Sequence, residues 1–518
     1  MLVDLKNISN LFRIPNDVKK VLLVSILNLI LFHYPLYRFT ISKLDTSNPK
    51  NIFFVASLTV FTLVFNFIVF YLLLFLFRTV GKWLLILVFN ISAIAVYFIN
   101  NYGVVLNRGM ISNVFNSKLE EVNGFWSVSL FVYILFLGII PSVFIYKIKF
   151  ADFKLKNFLT YLLVSTIILT SFTYANKSNW LWINRNLRSV RAIAMPWSYI
   201  LNTARYYSHK NKESKKEILL PLGRSIKEGN KSVIVLVIGE SARSKNFSLY
   251  GYEKNTNPLL SKIDEVYKFK ANSSYTYTSE GVKSILSYKK SRELYEFLPS
   301  YLYRNDVDVF WRTTNWGEPK IKTNIYQKRE DLVKLSSSQN PNYDEVLLSG
   351  LKEQIESSKK DKIFIVLHTY TSHGPEYYKK YPKKFNKFTP VCTEPALKKC
   401  DKVELVNAYD NTVLYTDYIL SSLIKELKEL KEYKSSMIYI SDHGESLGEE
   451  GLYMHGLPNS MAPKEQFEIP FIVWTSSAKI KENKENEVLS QYYIFHSVLD
   501  FFNISSPIYD RDKSIFQK

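Results

Sequence analysis

Five segments in the first third of the chain, about 21 to 38, 52 to 77, 83 to 99, 125 to 146 and 157 to 174, are apolar over nearly their whole length. A helix needs roughly 20 residues to cross a hydrocarbon core of about 30 Å, and each segment approaches that length. No water is available in lipid to bond the backbone, so such segments are confined to helices. The fourth is the cleanest, whereas His33 and Pro35 interrupt the first. Lys19 and Lys20 precede the first segment as they would in a signal peptide, but four more apolar segments follow and no small-residue cleavage site is evident. It therefore reads as a retained helix.

Basic residues set the orientation. Lys6, Arg13, Lys19 and Lys20 precede the first segment, Arg78 and Lys82 separate the second from the third, and Lys147, Lys149, Lys154 and Lys156 separate the fourth from the fifth. The other two loops carry Lys43 and Lys50, and Arg108 and Lys118 with Glu120 and Glu121. An odd number of crossings then places everything after residue 174 outside the cytoplasm. The net charge of +20 would suit anionic partners, but lysine, asparagine and isoleucine are abundant throughout. A bias spread over the whole chain is not a binding patch, and the expected topology disfavours nucleic acid. Cys392 and Cys400, the two cysteines, are expected to form a local disulfide in that oxidising space.

Three regions follow: a transmembrane domain of five helices over 1–175, a connecting stretch over 176–230, and a soluble domain over 231–518. The connecting stretch mixes Trp180, Trp182, Trp197, Tyr199, Tyr206 and Tyr207 with Arg185, Arg188, Arg191 and Arg205. That mixture favours helices on the bilayer surface, with packing of the aromatics against the soluble domain as the alternative. From Lys231 onward, short apolar runs alternate with amphipathic stretches, the pattern of an α/β fold. The expected strands are Val233 to Ile238, Val307 to Trp311, Ile363 to Leu367, Met437 to Ile440 and Phe471 to Trp474, in one largely parallel sheet. A helix over Val403 to Glu432 would bury Leu405, Tyr409, Val413 and Ile419 to Leu423.

Ligands of such sheets bind beyond the carboxyl ends of the strands. Of only seven histidines, His443 and His455 follow the Met437 run, and His368 and His373 follow the Ile363 run. Glu240 emerges directly after the first strand, as Asp442 does after the fourth, and a shared metal site explains both better than two solvated strand ends. Oxygen and imidazole ligands suit zinc or manganese. Neither cysteine is placed to act as nucleophile, so a hydroxyl is needed. Thr278 stands where the N-cap of a helix over Gly281 to Leu286 belongs, facing free N–H groups that favour a bound phosphate. Thr278 as a simple cap is the alternative.

Gly239-Glu240-Ser241-Ala242-Arg243, Asn246 to Tyr252, Ser372-His373-Gly374-Pro375-Glu376-Tyr377, Tyr409-Asp410-Asn411-Thr412, Ser441 to Glu449 and His455-Gly456-Leu457-Pro458 together resemble one family. It comprises the phosphoethanolamine transferases that decorate Gram-negative outer-surface glycolipids, including the mobilised colistin resistance enzymes, within the alkaline phosphatase and sulfatase superfamily. The resemblance implies an α/β/α sandwich in the periplasm, tethered to the inner membrane by five helices and acting as a monomer. It further implies that Glu240, Thr278, Asp442 and His443 bind one zinc ion, with a second as an option. Thr278 would be the nucleophile, while His373 and His455 would contact the transferred phosphate or move protons. Asn315 and Lys320 would contact substrate, and Met110, Asn113, Ser117 and Glu121 match residues near the donor lipid headgroup.

The reaction implied is transfer of phosphoethanolamine from phosphatidylethanolamine, through a phosphoethanolamine-threonine intermediate, to lipid A, lipooligosaccharide or another envelope acceptor. A glycerol-phosphate transferase or a sulfatase or phosphodiesterase of the same superfamily is the alternative. One departure stands out. Well-known members carry cysteines four residues before and six after the catalytic threonine, where this chain has Ser274 and Ser284. Thr276 therefore stays open as a rival to Thr278, and His368 reads as a core residue.

Overall fold

The apolar segments fold into helices whose breaks fall where the sequence weakens them. A computed structural model describes residues 14–517 apart from 46, 117–118, 151–152, 211–216, 226–230, 337–340, 482–483 and 485. Helix α1 (Asn16–Phe32) and helix α2 (Tyr34–Ser42) are bent by more than 40°, at 56°. Pro35 sits in the first turn of α2, where its missing N–H costs least. Helix α3 runs over Pro49–Tyr102, 54 residues, or about 80 Å at 1.5 Å per residue, far more than one crossing. Arg78, between the second and third apolar segments, breaks it with non-helical φ 35° and ψ −101°. Helices α4 (Arg108–Asn116), α5 (Leu119–Gly124), α6 (Val128–Lys147) and α7 (Leu155–Ala175) follow. By length and composition, three helices suffice to cross a membrane among the described residues, or four if α1 and α2 form one span.

The chain divides into two units, Met1–Ile111 with Trp126–Arg205, and Ser112–Phe125 with Tyr206–Lys518. In the first unit buried polar groups clamp helix to helix. Asn66 donates to Asn28 at 3.0 Å and Tyr71 donates to Asp17 at 2.7 Å. Where apolar surface gains little by leaving lipid, such bonds and close packing hold helices together. The connecting stretch forms helices α8 (Trp180–Ile193) and α9 (Trp197–Lys210). The Trp182 ring packs on Phe54 and the Trp197 ring on Phe65, each at 5.1 Å, so these aromatics cover helices of the first unit. Further on, Ile218 bridges Tyr295, Arg224–Ser225 pairs with Ile504 and Ser505, and Leu220 is buried. The second unit thus takes up chain before Lys231, which short polar-flanked pairings do not announce.

The second unit is built on eight strands: β1 (Lys231–Gly239), β2 (Val266–Asn272), β3 (Asp308–Thr313), β4 (Ile325–Lys328), β5 (Lys362–His368), β6 (Tyr433–Ser441), β7 (Glu468–Thr475) and β8 (Val488–Ser490). Their order is β8-β2-β7-β6-β1-β5-β3-β4. The sheet is largely parallel, and mixed in that β7 runs antiparallel to both its neighbours, β2 and β6. No α-helix lies between β6 and β7, and without a helical crossover the chain returns in the opposite direction. Strands β1, β5 and β6 are buried almost throughout, as parallel central strands must be. The edge strands β4 and β8, and β2 next to β8, expose alternate or most side chains, so an apolar-run criterion passes over them.

Helix α10 (Thr278–Leu286) and helix α11 (Lys402–Glu429) pack on this sheet region, α11 capped by Asp401, whose carboxylate accepts from the N–H groups of Val403 and Glu404. Leu405, Tyr409, Val413, Ile419, Leu420 and Leu423 are all buried on α11. Cys392 and Cys400 form the expected disulfide, eight residues apart. Replacing both with serine is expected to lower the unfolding free energy by about 2.5 kcal/mol through loop-closure entropy. Urea unfolding of the detergent-solubilised chain under oxidising conditions measures this.

Candidate functional site

Strand register brings the ligating side chains together. In the parallel pairs, Gly239 of β1 lies opposite Ser441 of β6, Ile238 opposite His368 of β5, and Thr313 of β3 opposite His368. Four adjacent strands therefore end at one edge, delivering Asp442 and His443, Glu240, His373 and Asn315 in turn. The Asp442 N–H extends the ladder by donating to Gly239 O at 2.9 Å. Ser241 takes a left-handed φ of 53°, uncommon for a side chain with a Cβ. Its N–H donates to Asp442 Oδ1 at 3.0 Å and its hydroxyl to Glu240 Oε1 at 2.7 Å.

Glu240, Asp442 and His443 are fully buried and close enough to share an ion. His443 Nε2 lies 3.2 Å from Asp442 Oδ2 and 3.5 Å from Glu240 Oε1. Burial holds the His443 imidazole neutral, pushing it down to about 4, with the neighbouring His455 adding to the effect. The His443 Nδ1–H donates to Gly444 O at 2.9 Å, so Nε2 presents a lone pair to the two carboxylates. Burial and mutual repulsion raise Glu240, and burial raises Asp442 to about 6. Asp442 Oδ2 is buried without a hydrogen-bond partner. Acceptors that converge in a dry pocket are costly unless a cation satisfies them. The donor set of two carboxylates and one imidazole fits zinc.

A repeated dipeptide sets the imidazoles. His373-Gly374 and His443-Gly444 each direct Nδ1–H onto the carbonyl of the following glycine, at 2.7 Å and 2.9 Å. In the third His-Gly pair, His455 Nδ1 instead donates to Glu445 Oε2 at 2.8 Å. All three therefore leave Nε2 as the basic nitrogen, the tautomer that a ligand or proton acceptor requires. The His455 ring is 4.2 Å from that of His443 and 5.5 Å from that of His373. Burial lowers His455 and, more strongly, His373.

Thr278 is the first residue of α10; the cap position belongs to Tyr277, whose side chain makes no capping bond. This corrects the expectation that Thr278 caps the helix, and it frees the hydroxyl for the site. Thr278 Oγ1 lies 3.3 Å from both oxygens of Glu240 and 3.3 Å from His443 Nε2. Thr276 is turned elsewhere, donating its hydroxyl to Leu457 O at 2.6 Å.

Comparison with known proteins agrees with this geometry. Residues 232–504 match the sulfatase family model, and residues 62–211 match the model for the phosphoethanolamine transferases EptA and EptB. Phosphoethanolamine transferase EptA of Helicobacter pylori is 37% identical over 493 residues, covering 93% of this chain and 92% of that protein. The chain belongs to the EptA-type phosphoethanolamine transferases. Phosphatidylethanolamine transferase Mcr-1 of Escherichia coli is 30% identical, with 83% of this chain and 85% of that one covered. The integral membrane EptA of Neisseria meningitidis superposes with a TM-score of 0.87 at 25% identity, over 96% of this chain and 98% of that one.

In this transferase the segment leading into α10 is braced by polar groups. The Ser274 N–H donates to Gln491 Oε1 at 3.1 Å, while the Gln491 amide donates to Ser441 O at 3.1 Å and Asp442 O at 2.7 Å. One buried side chain thus ties the segment before Thr278 to the end of β6. Sequence reasoning missed Gln491, because a glutamine before a helix carries no motif. Glu445 was visible only as part of a motif; it fixes His455 and accepts from the Tyr377 hydroxyl. Burial raises it to about 8.

The remaining expected contacts separate. Asn315 donates to Glu240 Oε2 at 2.7 Å and to Thr369 O at 2.8 Å, so its amide holds the Glu240 carboxylate in place. Lys320 is exposed. His368 is buried against Trp311, with Nδ1 3.7 Å from Glu318. The Met110 N–H donates to Asn107 Oδ1 at 2.8 Å. Asn113 and Glu121 lie on α4 and α5, and Ser117 falls outside the described residues.

Gly281 permits α10 to touch the loop after β6: a Cβ there would stand 2.4 Å from Asp442 O, a backbone atom that cannot swing aside. Gly281→Ala is expected to push Thr278 away from Glu240 and to cut turnover roughly a hundredfold, the cost of misplacing a reacting group by about 1 Å. Transfer of labelled phosphoethanolamine by the purified variant checks it.

Proposed function

We propose that this chain moves phosphoethanolamine from phosphatidylethanolamine to lipid A or lipooligosaccharide, through a covalent intermediate on Thr278. The observation that carries the reading is the Thr278 hydroxyl, held 3.3 Å from Glu240 and from His443 Nε2 at the start of a helix. Similarity to EptA and Mcr-1 along most of the chain supports the substrate pair. Zinc held by Glu240, Asp442, His443 and Thr278 would supply positive charge that favours the threonine alkoxide and offsets phosphoryl charge.

In the first step Thr278 Oγ1 attacks phosphorus and the bond to the diacylglycerol oxygen breaks. In the second, an acceptor oxygen displaces Thr278 in line. His373 and His455, each with Nδ1–H fixed, offer Nε2 to relay the Thr278 proton to the diacylglycerol oxygen in the first step and the acceptor's proton to Thr278 Oγ1 in the second. The free N–H groups at the start of α10 face developing negative charge on the phosphoryl oxygens. Asn315 and Ser241 keep Glu240 in place, and Gln491 keeps Asp442 and the nucleophile segment in register.

The helix unit serves the donor. We read α3 as two crossings joined at Arg78, giving five with α1–α2, α6 and α7, so that the second unit lies in the periplasm and the first in the inner membrane. Asn113, Ser117 and Glu121 would then approach the donor headgroup, and Lys320 the substrate at the site's rim. Adding an ammonium group to an acidic glycolipid lowers its attraction for cationic peptides such as the polymyxins.

Thr278→Ala is expected to lower transfer at least a thousandfold, whereas Thr276→Val costs about 1 kcal/mol of stability from its lost hydrogen bond and retains transfer. Mass spectrometry of the wild-type protein with donor alone should find phosphoethanolamine on the peptide containing Thr278; an adduct elsewhere would sink the assignment. Chelation should abolish turnover, and added zinc should restore it.

A further inference from the structure

The loop between β3 and β4 touches the site at three consecutive residues, each on a different group. Asn315 donates to Glu240 Oε2, and its own Oδ1 accepts from the Trp316 N–H at 2.9 Å. The loop backbone thus decides which end of the Asn315 amide faces the carboxylate: the oxygen is taken, and the nitrogen is left for Glu240 and Thr369 O. The Trp316 ring packs on that of His373, with centroids 5.5 Å apart. Gly317, at a left-handed φ of 98°, lies against Thr278: a Cβ there would stand 3.2 Å from Thr278 Cγ2 and 3.5 Å from Ser279 N. A threonine has few χ1 rotamers, so a wall against its methyl group also limits where its hydroxyl points.

No regular structure holds this loop. Residues 314–324 join the parallel strands β3 and β4 with neither helix nor strand between them. Among the described residues, the backbone of 317–323 makes no hydrogen bond to other backbone groups. The anchor at the site end is the next side chain, Glu318. Its Oε1 accepts from the Tyr326 hydroxyl on β4. Its Oε2 is buried without a hydrogen-bond partner and faces His368 Nδ1 of β5 at 3.7 Å, an electrostatic contact rather than a hydrogen bond. Burial opposes ionisation, yet the His368 imidazole and the Tyr326 hydroxyl hold the Glu318 carboxyl down at about 2. A full negative charge therefore sits there, on a side chain only 16% exposed, and bonds to such a charge are roughly twice as strong as neutral ones.

Resting on the transferase reading, we propose that Glu318 is a positioning residue of the reaction. Its ties to Tyr326 and His368 set the loop, and the loop sets Asn315 on Glu240, Trp316 on His373 and Gly317 against Thr278. One carboxylate that takes no part in the chemistry thus aligns the groups that do. The three strand ends involved, β3, β4 and β5, are kept in step by side chains where ladder bonds have run out.

The test compares the full-length wild type in vesicles with Glu318→Gln, which keeps the side chain's size and removes its charge, and with Tyr326→Phe, which removes one tie. Outer partners of metal-site groups are worth about 10–100-fold in metal affinity or activity. Glu318→Gln is expected to lower kcat for diacylglycerol release about tenfold with the KM for phosphatidylethanolamine within twofold, and to weaken zinc binding about tenfold in competition with a chelator. Tyr326→Phe should move both in the same direction by a smaller factor, and the double variant should fall short of the product of the single effects, because both act through one tie. The melting temperature of the zinc-free protein should stay within about 2 °C. A lower melting temperature with zinc affinity and kcat unchanged would overturn the proposal, leaving Glu318 a purely structural group. Should Glu318→Gln fail to fold, Tyr326→Phe decides alone, and wild-type zinc affinity and kcat in that variant would be equally fatal. Absence of diacylglycerol release from the wild type would instead strike the transferase reading, and the zinc affinities would still decide the role of Glu318.

Discussion

Everything at the site depends on the parallel pairing of β1 with β6. Because Gly239 faces Ser441, the next residue on each strand is a carboxylate, and Glu240 and Asp442 are forced together where water is excluded. Two buried like charges repel, and each resists ionisation. The imidazole of His443, with its proton committed to Gly444 O, adds a lone pair to the same space. A divalent cation resolves this conflict, which is why the site reads as a metal centre from its electrostatics before any comparison is made.

The same frustration explains the surrounding hydrogen bonds. Three of the four carboxylate oxygens have a donor: Ser241 serves Glu240 Oε1, Asn315 serves Glu240 Oε2, and the Ser241 and His443 N–H groups serve Asp442 Oδ1. The orphan is Asp442 Oδ2, the oxygen nearest His443 Nε2. The left-handed Ser241 is the backbone cost of that arrangement: in that conformation its N–H reaches Asp442 and its hydroxyl reaches Glu240. Gly281 makes the last approach possible by letting α10 rest on Asp442 O.

Much of this was legible in the sequence because strand ends and ligands are adjacent along the chain. Glu240, Asp442, His443 and His373 each follow an apolar run, and the edge they reach follows from the parallel connections. What stayed hidden has long sequence separation or weak local pattern. Gln491 acts on Ser274 and Asp442 across the fold, and no local rule marks it. The strands β2, β4 and β8 are partly exposed, so their apolar content falls below that of the central strands. The direction of β7 depends on the absence of a crossover helix after β6, which a run of four apolar residues cannot report. In the helix unit the apolar segments were plain, but hydropathy alone does not separate a break at Arg78 from a continuous helix.

The choice between Thr276 and Thr278 shows how packing finishes what sequence leaves open. Both are buried hydroxyls two residues apart, and in an extended segment such neighbours alternate faces only if they are one residue apart. The segment is not extended to the end: the helix begins at Thr278. The turn into α10 therefore sends the second hydroxyl to Glu240, while the first remains with Leu457 O, and the Gly456 N–H bonds to Thr276 O at 2.7 Å. Thr276 thus ties the segment leading into α10 to the loop that carries His455. Where well-known relatives would brace this segment with a disulfide, the chain uses Gln491 on one side and Thr276 on the other. Each hydrogen bond is individually weaker than a covalent link, but together they fix Thr278 relative to both β6 and the loop that carries His455.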